Sequence, residues 1–250
     1  MNTPCTRAVE RIAALSTPRG SRRNQKREAA GEEFITSLEN SPQGRNRCGK
    51  WANSVKLRLE MSPANDASHL TNQFLIAMPG MADPYFSKTL TFICEHSEKG
   101  AIGLIVNKPI DLTLANLFDQ VEIPLADPQL RTVNVHFGGP VLMDRGFVLH
   151  QPLGNWSSTL KIDEETGLTT SKDILQSMAN GHGPTRVLVT LGYAGWGPGQ
   201  LEDEITRNGW LTVPANVGIL FDLPFDARLT AAMGMLGLNY GNLSDAAGHA

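Results

Sequence analysis

The pattern of hydrophobic and polar positions changes near residue 60. From residue 72 onward, apolar segments recur with strand-like or helix-like spacing between glycine and proline turns. Residues 1–60 are mostly polar and basic, and such a composition cannot bury enough surface to offset the entropy of ordering. We therefore expect a disordered basic extension over residues 1–60 and a single domain over residues 61–250. Met61 is a candidate for the true start, with residues 1–60 a mis-assigned extension.

Short apolar runs predict the strands of this domain. The segments NQFLIAMP, VNVHF, GFVLHQ, RVLVTLGY and VGILF have the length and composition of strands. In TLTFICEH apolar and polar residues alternate, as in a strand. The turn SEKG and a second apolar segment, AIGLIVN, follow it, and this order predicts a hairpin.

Other segments have helical spacing or helix-end signals. DLTLANLFDQV places four apolar side chains on one helix face after a potential N-cap at Thr113. In TTSKDILQSMANG, Thr170 and Asp173 have the spacing of a capping box. GQLEDEITRNG and FDARLTAAMGMLG complete the predicted helices. Because strands follow one another without strict alternation with helices, the order predicts an α+β fold.

Charge and cysteine usage restrict the function classes. Residues 1–60 carry a balance of +6 and residues 61–250 a balance of −9. DNA binding depends on neutralising phosphates, so an acidic domain argues against direct DNA binding, except through the basic arm. The three cysteines include no C-x-x-C pair, which favours a reducing compartment and argues against a zinc site or disulfide framework. No apolar run has the length of a membrane span, so we expect no membrane partner.

The segment ICEH contains a thiol and an imidazole in one predicted strand. In a regular strand Leu90, Phe92, Cys94 and His96 line one face, and Glu95 lies on the other. The apolar neighbours favour a buried structural thiol. The alternative is a nucleophile at Cys94 whose pKa is lowered by His96, which makes these two residues our catalytic candidates.

Polar and aromatic side chains at strand ends and loops are candidates for ligand binding. Asn107 and Lys108 end a strand, and Arg145 lies in a predicted Asp-Arg-Gly turn where it could bind a carboxylate or phosphate. Tyr193 and Trp196 lie in LGYAGWGPGQLEDEI, which lacks the third glycine of the dinucleotide fingerprint and the lysine of a P-loop. We therefore predict ligand contacts at these five residues, no metal and no cofactor.

Four linked stretches resemble the bacterial YqgE/AlgH family. They are NQFLIAMPGMADPYFSKTLTFICEHSEKGAIGLIVNKP, FGGPV with DRGFVLH, TTSKDIL, and LGYAGWGPGQLEDEI with NGWL. The resemblance covers about residue 72 to residue 250 and implies a mixed, largely antiparallel, bifurcated sheet curled into a pseudo-barrel with flanking helices. It also implies a cytoplasmic bacterial protein.

The resemblance implies no settled activity and carries over no catalytic residue. Some members are labelled as proposed transcriptional regulators of alginate synthesis, but this chain has no helix-turn-helix pattern. Our hypothesis is a non-enzymatic binding or regulatory domain that acts indirectly through a protein or small-molecule partner. One alternative is an enzyme centred on Cys94 and His96, with an unknown reaction. Another is DNA binding through the basic N-terminal arm.

Overall fold

The computed structural model describes residues 70–238 of the chain. The predicted basic extension over residues 1–60 and the candidate start at Met61 lie outside the described residues, as do the last twelve positions.

Residues 70–238 form a ten-stranded sheet with flanking helices, which confirms the predicted α+β class. The strands are β1 (Gln73–Ala77), β2 (Leu90–Ser97), β3 (Gly100–Ile105), β4 (Pro109–Thr113), β5 (Asn134–Phe137), β6 (Val141–Gln151), β7 (Thr159–Lys161), β8 (Gly167–Thr169), β9 (Arg186–Trp196) and β10 (Trp210–Pro214). The helices are α1 (Leu114–Gln120), α2 (Pro128–Arg131), α3 (Lys172–Ala179), α4 (Gln200–Thr206) and α5 (Phe225–Gly234), with a π-helical turn at Gly218–Asp222 before α5.

The long strand β9 is the point at which the sheet forks. One edge of β9 pairs with β6 along most of its length. The other edge pairs in parallel with β5 at Thr190 and Leu191, and then antiparallel with β3 from Ala194 to Trp196. The main path runs β10-β1-β2-β3-β9-β6-β8-β7, with β4 joined through β5. The sheet curls into a half-barrel, and this forked, largely antiparallel arrangement confirms the predicted bifurcated sheet.

Three apolar clusters hold the helices against the sheet. The largest packs α5 and the π-helical turn onto the face that carries Phe74, Phe92 and Leu149. A second packs α1 and α3 onto Val148 and Val189. The third packs α4 onto β1, β2 and β9, and it contains the two tryptophans Trp196 and Trp210.

The helix-start signals are confirmed for α1 and corrected for α3. Thr113 caps α1, and the side chain of Asn116 completes a capping box. The N-cap of α3 is Ser171 and not Thr170. Asp173 does not close a capping box with Thr170, because its carboxylate accepts hydrogen bonds from the backbone and the hydroxyl of Ser157 at 2.7 and 2.8 Å.

The segment VGILF is not a strand, contrary to the prediction. Residues Gly218–Asp222 form the π-helical turn, with the Leu223 amide bonded to the Gly218 carbonyl. The Asn216 side chain accepts a hydrogen bond from the Ile219 amide at 3.2 Å and starts this turn locally. A short apolar run does not by itself distinguish a buried strand from a buried helical turn.

A β-bulge at Cys94 changes the facing of ICEH. Ile93 pairs with Gly103 and Glu95 with Ile102, so Cys94 is the extra residue of β2. His96 then pairs with Ala101, whose side chain belongs to the α4 cluster, whereas Cys94 belongs to the α5 cluster. The prediction that Cys94 and His96 share one face is therefore wrong.

The predicted Asp-Arg-Gly turn is also part of a strand. Val141 pairs with Tyr193 and Gly146 with Leu191, so the residues between Val141 and Gly146 bulge out of β6 opposite Gly192. The prediction of a hairpin turn at Arg145 is wrong, because a bulge within one strand takes up these residues.

Candidate functional site

A cavity of about 300 Å³ lies beside α4 and contains Trp196 in its wall. The end of β9, the start of β10 and the loop around Phe86 enclose it. The rings of Phe86, Trp196 and Trp210 pack against one another with centroid separations of 5.6 to 6.1 Å. Gly199 adopts a left-handed φ of 72° just before α4, which lets the chain turn sharply from β9 into the helix. These elements bring three aromatic side chains to one wall.

Glu204 of α4 fixes the two indoles of this wall. Its Oε2 accepts a hydrogen bond from Trp196 Nε1 at 3.0 Å and another from Trp210 Nε1 at 2.8 Å. Its Oε1 accepts from Gln200 Nε2 at 2.8 Å. The indole N–H groups of both buried tryptophans are therefore satisfied by one carboxylate, and the aromatic wall is held rigidly.

The rim of the cavity carries exposed charges of both signs. Asp83 and Arg207 line the opening and are exposed to solvent. Asp83 also accepts a hydrogen bond from the Tyr85 amide at 2.8 Å, which shapes the loop that presents Phe86. The cavity thus combines an apolar aromatic wall with an acidic and a basic group at its mouth.

His96 lies against the same helix and bonds through both ring nitrogens. Its Nε2 is 2.8 Å from Oε1 of Glu202, and its Nδ1 accepts a hydrogen bond from the Leu70 amide at 3.0 Å. Because Nδ1 accepts, the ring proton lies on Nε2 and is donated to Glu202. His96 thus ties β2 and the chain before β1 to α4.

Cys94 lies in the core of the domain. Its side chain has no exposed surface, and Sγ is 3.8 Å from the Phe92 carbonyl oxygen. Burial, together with the charge of Glu95, raises the pKa of the thiol far above its ordinary value. Cys94 therefore lacks the accessibility and lowered pKa that the nucleophile hypothesis requires, and the bulge separates it from His96.

Asn107 holds the start of β2. Its side-chain oxygen accepts a hydrogen bond from the Leu90 amide at 2.8 Å, and its side-chain nitrogen donates to the Lys88 carbonyl at 3.0 Å. Lys88 has a left-handed φ of 57°, and the bond from Asn107 supports this conformation. Asn107 therefore has a structural role in positioning this loop.

Lys108 holds the same loop next to the aromatic wall. Its Nζ donates to the Tyr85 carbonyl at 2.8 Å. Burial lowers the pKa of this ammonium, and the charge of Asp83 partly opposes the shift. Since Phe86 directly follows Tyr85, Lys108 helps to position an aromatic ring of the cavity.

Arg145 and Tyr193 lie together at the bulge in β6. Burial lowers the pKa of the Arg145 guanidinium, while Asp144 and Tyr193 act in the opposite direction. The Tyr193 ring packs on Phe147 with centroids 5.4 Å apart, as part of the α5 cluster.

The structure distributes the seven candidate residues over several places. Trp196 and His96 both contact α4, and Asn107 and Lys108 hold one loop. Arg145 lies close enough to Tyr193 at the bulge for the two side chains to interact electrostatically. Phe86, Trp210 and Glu204 also line this cavity and were not among the predicted site residues. The spacing of Gln200 and Glu204 on one helix face, and a second tryptophan in NGWL, were the available signals.

Metal-ligand clusters and membrane-length helices are both absent from the described part of the chain. Across residues 70–238, no three His, Cys, Asp or Glu side chains converge to hold a metal ion. No helix in that range has both the length and the apolar character needed to cross a membrane.

The chain is similar to curated and solved bacterial proteins. The AlgH-like family model matches residues 74–241. A UPF0301 protein of Nitrosospira multiformis is 59% identical over 181 residues, covering 72% of this chain and 97% of that protein. A UPF0301 protein of Dechloromonas aromatica is 56% identical over 185 residues, covering 74% of this chain and all of that protein.

Solved structures extend the similarity to the fold. The solution structure of the AlgH protein from Pseudomonas aeruginosa superposes with a TM-score of 0.62 at 45% identity, covering 76% of this chain and 100% of that chain. A crystal structure of a Corynebacterium diphtheriae protein has a TM-score of 0.50 at 19% identity, and the match covers 68% of this chain and 86% of that chain. This similarity supports the fold alone.

Proposed function

We propose that this chain, which belongs to the AlgH-like family, is a non-enzymatic binding domain that takes a small organic molecule in the cavity beside α4. Any effect on transcription then follows indirectly from binding. The protein acts in the bacterial cytoplasm, where three cysteines without a paired motif remain reduced.

The cavity beside α4 is the observation that carries this proposal. Its volume of about 300 Å³ suits a metabolite-sized ligand. Ligand pockets typically combine apolar and aromatic walls with a few polar groups, and this cavity has three aromatic rings with Asp83 and Arg207 at its mouth. A ligand with a flat apolar part and a polar group of either charge fits such a lining.

The proposal favours binding over catalysis because the reactive side chains are committed to structural contacts. Cys94 is buried, both ring nitrogens of His96 have partners, and Lys108 bonds to loop carbonyls. The indirect route is supported by charge, since residues 61–250 carry ten Lys and Arg against nineteen Asp and Glu.

Tryptophan fluorescence provides the test. Replacing Trp51 and Trp156 with phenylalanine leaves Trp196 and Trp210 as the reporters, both in the cavity wall. Titration with a panel of amino acids, nucleosides and aromatic acids should give a saturable change in emission and a rise in Tm for at least one compound.

A variant at the rim of the cavity and a matched surface variant test whether the compound binds in this cavity. Arg207→Ala should weaken the response, whereas Lys161→Ala, at a surface ion pair with Glu164, should leave it unchanged. The proposed site would be rejected if neither Arg207→Ala nor Phe86→Leu changed the affinity for the compound. It would also be rejected if no compound of the panel gave a saturable response. Turnover of a panel compound that disappears on changing Phe86 would instead establish an enzyme.

A further inference from the structure

One side of α4 carries most of the polar groups of the cavity beside it. Gln200 and Glu204 are four residues apart on the helix, and Arg207, the C-cap residue, follows three positions later. Residues with this spacing lie on the same helix face. All three line the cavity together with the aromatic wall. A ligand in the cavity would therefore contact aromatic rings and this polar helix face together.

Hydrogen-bond donors on this face remain available to a ligand. The carboxylate of Glu204 is already occupied by both indoles and by Gln200. The side-chain amide of Gln200 has two N–H groups, and only one of them has an acceptor among residues 70–238. The guanidinium of Arg207 has five N–H groups, and none is bonded within that range. Arg207 and Gln200 can therefore donate to an acceptor in the cavity.

Asp83 brings a negative charge to the cavity from the loop between β1 and β2. Its Oδ1 accepts hydrogen bonds from the amides of Tyr85 and Phe86 at 2.8 and 3.3 Å, whereas Oδ2 has no partner in the described part of the chain. Asp83 and Lys108 are near enough for their charges to interact, but the Lys108 ammonium donates to the Tyr85 carbonyl and forms no ion pair with this carboxylate. Oδ2 of Asp83 can therefore accept from a donor in the cavity.

The two opposite charges at the opening do not neutralise each other. The ion pairs found within residues 70–238 involve neither Asp83 nor Arg207, although both line the same cavity. A ligand that carries both a positive and a negative group can bind to the two side chains at once. The cavity volume of about 300 Å³ is at the lower end of the range for ligand pockets, which favours a small molecule.

We propose that the ligand of this cavity is a free α-amino acid with an aromatic side chain. Its carboxylate binds the guanidinium of Arg207 and the side-chain amide of Gln200, and its ammonium group binds Oδ2 of Asp83. Its ring lies against the aromatic wall. This proposal rests on the binding function proposed above and names the chemical class of the ligand.

Calorimetric titration of the full chain with matched compounds tests the need for both charges. L-Phenylalanine is compared with phenylethylamine, which lacks the carboxylate, and with phenylpropionate, which lacks the ammonium group. L-Tyrosine and L-tryptophan are titrated as further aromatic amino acids. We expect the two single-charge compounds to bind roughly three- to tenfold more weakly than phenylalanine, because ion pairs at an exposed opening contribute modestly.

Two variants assign each charge of the ligand to its partner. Asp83→Asn keeps the side-chain oxygen that accepts from the loop amides, and it should weaken phenylalanine and phenylethylamine but not phenylpropionate. Arg207→Gln should weaken phenylalanine and phenylpropionate but not phenylethylamine. Lys161→Ala, at the surface ion pair with Glu164, should leave all three affinities unchanged. A general loss of structure would not produce this crossed pattern.

The outcomes distinguish the ligand class from the binding function. The ligand class is overturned if phenylalanine binds no more tightly than either single-charge compound, or if each variant weakens all three compounds alike. It is also overturned if none of the three amino acids binds at millimolar concentration. In each case, binding of another compound that still depends on Phe86 would leave the binding function intact. If no compound binds in the cavity, both proposals are overturned.

Discussion

Replacing Glu204 with leucine should destabilise the domain, because one carboxylate satisfies the indole N–H groups of two buried tryptophans. Trp196 and Trp210 are 3% and 2% exposed, and both donate to Oε2 of Glu204. Leucine and glutamate have similar helix propensity, so α4 itself should tolerate the change. The loss in the free energy of unfolding should therefore come mainly from the two indole N–H groups that are left without an acceptor.

The magnitude follows from the number of lost acceptors. Each unsatisfied buried donor costs about 1–3 kcal/mol, and water entering the adjoining cavity favours the lower part of that range. We expect a loss of about 2–4 kcal/mol in the free energy of unfolding. For a domain of this size, the loss corresponds to a decrease of roughly 5–15 °C in Tm. Glu204→Gln keeps one acceptor oxygen and should cost only about 1 kcal/mol.

Urea denaturation followed by tryptophan emission measures this loss, and the native emission of Glu204→Leu should shift to longer wavelength as water reaches the indoles. The Glu204→Gln variant is the matched control, since it keeps side-chain length and part of the bonding. Equal stability of Glu204→Leu and the parent within about 0.5 kcal/mol would refute the reasoning, because it would mean that the carboxylate does not support the aromatic wall.

Three further predictions test other parts of the description. His136 and His150 have pKa values lowered by burial in the folded state, so the free energy of unfolding should decrease as pH falls from 6.5 toward about 4. His136→Phe should flatten that decrease in urea titrations at several pH values, and an unchanged slope would contradict the assignment. Cys94 should react with iodoacetamide only after denaturation, and rapid labelling of native protein would show that the thiol is exposed. Gly192→Ala should abolish or strongly weaken folding, because an added Cβ would lie 2.4 Å from a backbone oxygen. The control Gly199→Ala has a similar positive φ but open space, so it should cost only about 1 kcal/mol by thermal denaturation.

Local signals predicted the elements whose structure depends on their own residues. The apolar face of α1 and its cap at Thr113 are encoded within a few positions, and the strand pattern of β1 to β3 is equally local. The π-helical turn was missed because VGILF is short enough to suit either a strand or a helical turn. The strands β7 and β8 were missed because three residues are too few to show a period. The strands β4 and β10 were missed because they have only five residues each and carry a proline at one end, which lowers the strand signal.

The candidate site was predicted only in part, for a related reason. Trp196 was identified from its glycine-rich segment, but Trp210 and Phe86 reach it from other strands and loops. The bulge at Cys94 depends on how β2 pairs with β3, which the sequence of β2 alone does not specify. One extra residue in that ladder moved His96 from the predicted face to the α4 side, whereas Cys94 is buried in the core, as its apolar neighbours indicated.

The fork at β9 has a consequence for how the domain opens. Amides and carbonyls of this one strand bond to β6 on one edge and to β5 and β3 on the other. Neither branch of the sheet can detach without breaking bonds that the strand shares with the rest of the sheet. Backbone amides near Thr190 should therefore exchange with deuterium most slowly, through global unfolding alone, while the short strands β7 and β8 should exchange through local openings.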